Sequence, residues 1–119
     1  MSRSEWQRVD DMLDAIAEIG ALVARGAAAY KSDPTLRRAL ERCLEIVGEA
    51  SKSLSDPTRG QMPGVPWADV IRLRDRLSHH YHRVDPDQLW AIAVGEIPGW
   101  LWSSARGGWP ERFSAGLTE

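Results

Sequence analysis

An all-α fold, an antiparallel up-and-down bundle of four main helices, is predicted by three observations. Apolar residues recur at three- and four-residue steps over long stretches. An aspartate followed by proline, Asp33-Pro34 and again Asp85-Pro86, opens two of those stretches. No run of useful length alternates apolar with polar residues, as a half-buried strand would, and no internal repeat is present.

The first segment is predicted as one helix from Ser4 to Lys31. Ser4 is its candidate N-cap, with Glu5, Asp10 and Asp11 near the positive end of the helix dipole. Val9, Met12, Leu13, Ile16, Ile19 and Val23 form its buried stripe. Gly20 and Gly26 weaken it by roughly 1 kcal/mol each, which suggests close approach of a neighbouring helix. The second helix is capped by Asp33, starts at Pro34 and buries Leu36, Leu40, Cys43, Leu44, Val47 and Leu54 before Ser55-Asp56-Pro57 stops it. Residues 56–66 hold three prolines and two glycines and read as a loop. A third helix runs from Pro66-Trp67 through Val70, Leu73 and Leu77 to about Tyr81. A fourth starts at Asp85-Pro86, carries Leu89, Trp90, Ile92, Ala93 and Ile97, and meets Pro98-Gly99. The tail from about residue 104 is irregular, with Trp109 and Phe113 as docking points.

Composition sets outer limits. The 119 residues suit one helical domain over 1–119. An apolar fraction of 43% with a net charge of −2 excludes a disordered chain. A lone cysteine excludes a disulfide scaffold, and Cys43 sits at helical spacing with core residues, so it is expected to pack. No stretch approaches the roughly 20 apolar residues that span a bilayer. The first 14 residues lack the pattern of a secretory signal, so a cytoplasmic location without membrane contact is expected. The overall balance argues against a protein that coats nucleic acid by bulk charge.

That balance conceals a segregation. Residues 72–83 carry four arginines against one aspartate, a net of +3, which leaves −5 for the rest. All three histidines, His79, His80 and His82, fall there as well. A helix with arginines on its outer face is ordinarily just solvated, and histidines near a helix end suit the dipole. A metal site is disfavoured, because these histidines do not share a helical face and their arginine neighbours repel a cation. An anion site fits better. Arginine presents a planar fork to phosphate, and histidine moves protons near neutral pH. RNA cleaves itself when the 2′-OH loses a proton, the phosphorane charge is stabilised and the leaving oxygen gains a proton; arginine and histidine supply the last two. Arg74 and His79 lie about 140° apart on an ideal helix, too wide for one ligand unless the helix loosens near Ser78 or the cleft is broad. A symmetric dimer pairing this helix with its copy would form such a cleft, with Trp67 and Ile71 at the second contact. Asp75 and His79, four apart, can meet.

Arg74, four residues, His79, one residue, Tyr81 resembles the Arg-x4-His-x-Tyr signature of the HepT-like branch of the HEPN superfamily. The stretch RDRLSHHYHRVD, Val65-Pro66-Trp67 before it, and Leu89-Trp90 and Ile97-Pro98 after it extend the similarity over most of residues 5–103. The resemblance implies a helical bundle that forms a homodimer with its cleft near the dimer axis. It implies a metal-independent endoribonuclease needing no cofactor, acting as the toxin of a toxin–antitoxin pair. The implied partner is a small MNT-type nucleotidyltransferase antitoxin that transfers AMP to the motif tyrosine, here Tyr81. Arg74 would hold the scissile phosphate and His79 would be general acid or base. Asp75, in the polar slot after the arginine, would orient His79 or raise its pKa. His80 and His82 lie outside the motif. The alternative is a non-catalytic helical partner or substrate-binding subunit of a nucleotidyltransferase, which the modest net charge suits. Trp67 and Trp90 are expected to pack around the site, and Trp6, Trp100, Trp102 and Trp109 to mark a dimer or partner surface.

Overall fold

The computed structural model describes the backbone of residues 3–63, 65–79 and 85–96, and the side chains within them other than those of residues 3, 4, 74 and 76–79. Six helices succeed one another: α1 (Arg3–Val23), α2 (Ala27–Ser32), α3 (Pro34–Lys52), α4 (Asp56–Gly60), α5 (Trp67–His79) and α6 (Pro86–Gly95). The fold is all-α, and no strand occurs among the described residues. The four longer helices, α1, α3, α5 and α6, stand where the sequence predicts its four main helices. No helix among the described residues is long and apolar enough to cross a membrane.

The two short helices correct the sequence reading. The expected single helix from Ser4 to Lys31 breaks after Val23 and restarts at Ala27. Gly26 makes the break, with φ 90 and ψ 161, a backbone region that L side chains rarely adopt. The helix also begins one residue before Ser4, which therefore lies in the first turn and not at the cap. The expected loop at 56–66 opens with α4. Ser55 caps it, accepting from Thr58 N at 3.3 Å, and proline stands in its first turn. Ser55-Asp56-Pro57 is therefore a start as well as a stop, because cap plus proline is the same signal that opens α3 and α6.

Those two starts are as expected. Asp33 accepts from Thr35 N at 2.9 Å, and Asp85 from Asp87 N at 2.9 Å. Each cap satisfies a backbone N–H that the first helical turn leaves without a partner.

One core joins all the longer helices. Val9, Met12, Ile16 and Ile19 of α1 face Leu36, Leu40, Leu44 and Val47 of α3, all essentially inaccessible to solvent. Each such side chain stabilises the fold by roughly 1.5–3 kcal/mol through burial. α1 and α3 run antiparallel. Arg8 reaches the carbonyl of Ser53, at 3.5 Å, while Glu18 meets Cys43, at 3.3 Å. Glu5 ties the start of α1 to the α3–α4 turn, accepting from Ser55 N at 2.7 Å and Thr58 Oγ1 at 2.9 Å. α5 adds Val70 and Leu73 to the core and α6 adds Leu89, Ile92 and Ala93.

Cys43 packs as expected. Burial first, then the neighbouring Glu18 carboxylate, pushes its thiol up to about 12. It stays protonated at neutral pH and is no nucleophile. Gly20 differs from expectation: a Cβ built there meets nothing within 4 Å, so no close helix approach requires a glycine.

Candidate active-site helix

α5 carries the residues that the sequence singles out, and its N-terminal end is fixed first. Trp67 Nε1 donates to the carbonyls of Arg59, at 3.1 Å, and Met62, at 3.0 Å. Its ring packs against the core. Trp67 is thus engaged within its own chain, at the start of the motif helix. From there α5 lays Val70 and Leu73 against the core, both 0% exposed.

The outer side of the helix is wet. Arg72 meets Asp69 at 3.4 Å, one turn apart, with both side chains more than half exposed. For Arg72 the plain solvated role holds. Asp75 reaches across to α3, where Lys52 Nζ stands 3.3 Å from its Oδ1. Lys52 is the last residue of α3 and lies 23 positions earlier in the chain. No local pattern flags it, because nothing in a sequence marks which turn of one helix will face which turn of another.

Arg74 follows the fully buried Leu73 on α5, and His79 is its last residue. Five residues of helix separate them by about 7.5 Å along the axis and 140° around it. Because α5 is helical from Trp67 through His79, the loosening considered near Ser78 does not occur. Two positions so far apart do not meet one small ligand along a straight helix alone; a shared ligand would need a cleft spanning a wide arc. Tyr81, His80 and His82 lie outside the described residues, as do Trp100, Trp102, Trp109 and Phe113.

The far side of the motif is anchored too. Asp85 caps α6, so the Val84-Asp85 that closes the motif stretch has a local structural cause at its second residue. Tyr30 of α2 donates its hydroxyl to the Pro86 carbonyl at 2.6 Å and packs its ring against Trp90, with centroids 4.9 Å apart. Burial raises the Tyr30 phenol above its ordinary value, with Arg37 opposing and Asp87, Glu41 and Asp85 adding, so it remains a hydrogen-bond donor. Nothing local marks Tyr30, since its partner lies 56 residues on.

A shallow groove of about 240 Å³ lies elsewhere, between α1 and α3, lined by Arg8, Asp11, Arg42, Ile46, Glu49, Ala50 and Ser53. Two arginines and two carboxylates cancel there, so it lacks the positive field that a phosphate seeks. Trp6 is 41% exposed near the start of α1.

Comparison with known proteins bears on the same helix. The family described as "Ribonuclease HepT-like" matches residues 12–100, a span that contains the whole motif stretch. A Thermococcus cleftensis protein named "Probable ribonuclease HepT" is 33% identical over 99 residues, 82% of this chain and 90% of that one. "Putative RNase TTE0752" of Caldanaerobacter subterraneus is 41% identical over 69 residues, 58% of this chain. "Putative RNase MJ0127" of Methanocaldococcus jannaschii is 36% identical over 69 residues, also 58% of this chain. The matched part spans 62% and 57% of the length of these last two relatives. No solved structure matches the chain.

Proposed function

The chain belongs to the HepT-like ribonuclease family, and from that premise we propose that it is an endoribonuclease whose chemistry is carried by Arg74 and His79 without a metal ion. What supports this is the Arg74-x4-His79-x-Tyr81 stretch lying inside the span that the family matches, with its first two members on α5.

The reaction needs little from the protein. The 2′-oxygen attacks the adjacent phosphorus, the bond to the 5′-oxygen breaks, and one proton moves from the 2′-OH side to the leaving oxygen. Arg74 stabilises the extra negative charge on the phosphorane, which its planar guanidinium suits. His79 handles a proton at one end of the transfer, because an imidazole titrates near neutral pH. The wide arc between the two supports a homodimer in which paired α5 helices share a cleft, so that an arginine and a histidine from different copies meet one phosphate. The segregated +3 over residues 72–83 suits a local phosphate site on an otherwise acidic chain.

The physiological role that fits is the toxin of a toxin–antitoxin pair in the cytoplasm. Its antitoxin would be an MNT-type nucleotidyltransferase that transfers AMP to the Tyr81 hydroxyl. An AMP group two residues from His79 adds negative charge beside the phosphate site and repels RNA.

His79→Ala is the test. The wild type cleaves RNA and arrests growth, and the variant loses both, with cleavage down by about 10²–10⁴-fold. A fully toxic variant overturns the assignment. Incubation with the nucleotidyltransferase and ATP adds the mass of AMP to the wild type and not to Tyr81→Phe. An equal gain in both excludes that residue. A wild type that binds the nucleotidyltransferase and leaves RNA intact would instead make the chain its non-catalytic partner.

A further inference from the structure

We propose that Glu5 is a latch: it holds α4, and through α4 it holds Trp67, so that this segment opens and closes as a local unit against the α1–α3 framework and thereby releases or fixes the start of α5. The proposal does not depend on the ribonuclease reading above.

α4 cannot stand alone. It has five residues, Asp56–Gly60, about a turn and a half, and so short a helix is marginal in water without contacts from outside. Within it, Ser55 Oγ accepts from Thr58 N at 3.3 Å and lies 2.9 Å from Thr58 Oγ1. Arg59 pairs with Asp56, which also ties the helix only to itself. The tie to α1 is Glu5, 50 residues before Ser55. One of its carboxylate oxygens accepts from Ser55 N at 2.7 Å and the other from Thr58 Oγ1 at 2.9 Å. Thr58 is 1% exposed, so water replaces this acceptor only when the turn moves away from α1.

The same turn supplies the acceptors of Trp67. Its Nε1 bonds the carbonyl of Arg59, the fourth residue of α4, and that of Met62, two residues past the helix end. Glu5 thus acts on one side of α4 and Trp67 hangs on the other. Farther along, α5 is held by Val70 and Leu73 in the core, and α1 and α3 hold each other through apolar side chains. Neither contact needs the latch. Losing Glu5 therefore frees α4 and the Trp67 indole while the framework stays folded, which is the behaviour of a local opening unit.

The experiment is hydrogen exchange of the Trp67 indole N–H in the full-length chain, followed by NMR and assigned by its loss in Trp67→Phe. Trypsin cleavage after Arg59, identified by fragment mass, is the second readout. In the wild type the indole exchanges faster than the Leu40 and Leu44 amides of α3, and low urea hardly speeds it, because a local opening exposes little surface. Glu5→Ala quickens both the exchange and the cleavage by about 10–100-fold, since two hydrogen bonds to a charged group are lost, and the weak urea dependence remains. Glu5→Gln recovers most of the protection: its amide oxygen accepts from Ser55 N and its amide nitrogen donates to Thr58 Oγ1. Thr58→Val, which removes one of the two bonds, falls between, and serves the same test if Glu5→Ala does not fold. A wild-type indole whose exchange responds to urea as steeply as the Leu40 and Leu44 amides overturns the proposal, because α4 would then open only when the whole chain unfolds. Unchanged exchange and cleavage in Glu5→Ala overturn it as well, because the buried side chains around α4 would then hold it without Glu5. No readout uses RNA, so this outcome and that of the ribonuclease reading are independent.

Discussion

The α1–α3 pair and α5 meet at the same helix, α3, and are built from opposite materials. Between α1 and α3 the contact is apolar along its length, from Val9 and Val47 at one end to Ile19 and Leu36 at the other. Its polar groups sit at the edges, where Glu5 binds Ser55 and Thr58. α5 gives the core Val70 and Leu73, and on its outer side Asp69, Arg72 and Asp75 are charged and about half exposed. The first contact excludes water and supplies stability. The second tolerates water and charge, because Trp67 fixes one end of the helix and two buried residues fix its rotation. Stability and the proposed chemistry therefore fall on different contacts of one helix, and substitutions should separate them.

The largest effect sharpens this division. Leu44→Ala removes a fully buried side chain from the middle of α3 and costs about 2–5 kcal/mol, read as a lower urea midpoint. Cleavage per folded molecule stays within about twofold of the wild type. A loss of tenfold or more in the folded fraction would break the comparison, since it would couple the core directly to the site. His79→Ala is the converse, with its large loss of rate and a urea midpoint close to that of the wild type.

Next comes the break between α1 and α2. Gly26→Ala forces a side chain into φ 90 and costs about 1–3 kcal/mol, although the space around it is open. The penalty is conformational, so thermal unfolding detects it. Tyr30→Phe follows, at about 1 kcal/mol, through loss of the hydrogen bond to the Pro86 carbonyl. This variant probes the joint between the two regions, because Tyr30 packs in the core and binds the start of the helix that follows the motif. Hydrogen exchange at the first turn of α6 should quicken while α3 stays protected.

What could be read beforehand follows from range. Asp33-Pro34 and Asp85-Pro86 act within three residues of themselves, and both helix starts stand where they were expected. The stripes of α1 and α3 are periodic and long, so their burial was legible. Ser55-Asp56-Pro57 carried the same local signal, obscured because the prolines and glycines after it read as loop. The bonds of Trp67 to its own chain were hidden, because nothing local marks where the Arg59 and Met62 carbonyls will lie. Lys52 and Tyr30 were invisible for the same reason on a larger scale. The Arg74–His79 spacing was plain in the sequence, whereas the arc between them becomes a constraint only once α5 is continuous through both.

The smallest prediction turns on Gly20, which stands in α1 near its end and was expected to admit a neighbouring helix. A Cβ there meets nothing within 4 Å, and the residue is exposed. No contact is therefore lost by adding a methyl group, and none is gained. What changes is the unfolded chain, which has fewer conformations to surrender when alanine replaces glycine. Gly20→Ala should stabilise the fold by about 0.5–1 kcal/mol, seen as a rise of a few degrees in Tm. Because it does not touch α5, cleavage should not move. Destabilisation would mean that the open side of α1 is covered by a second surface, and would place a partner or a second copy against the framework and not against the site.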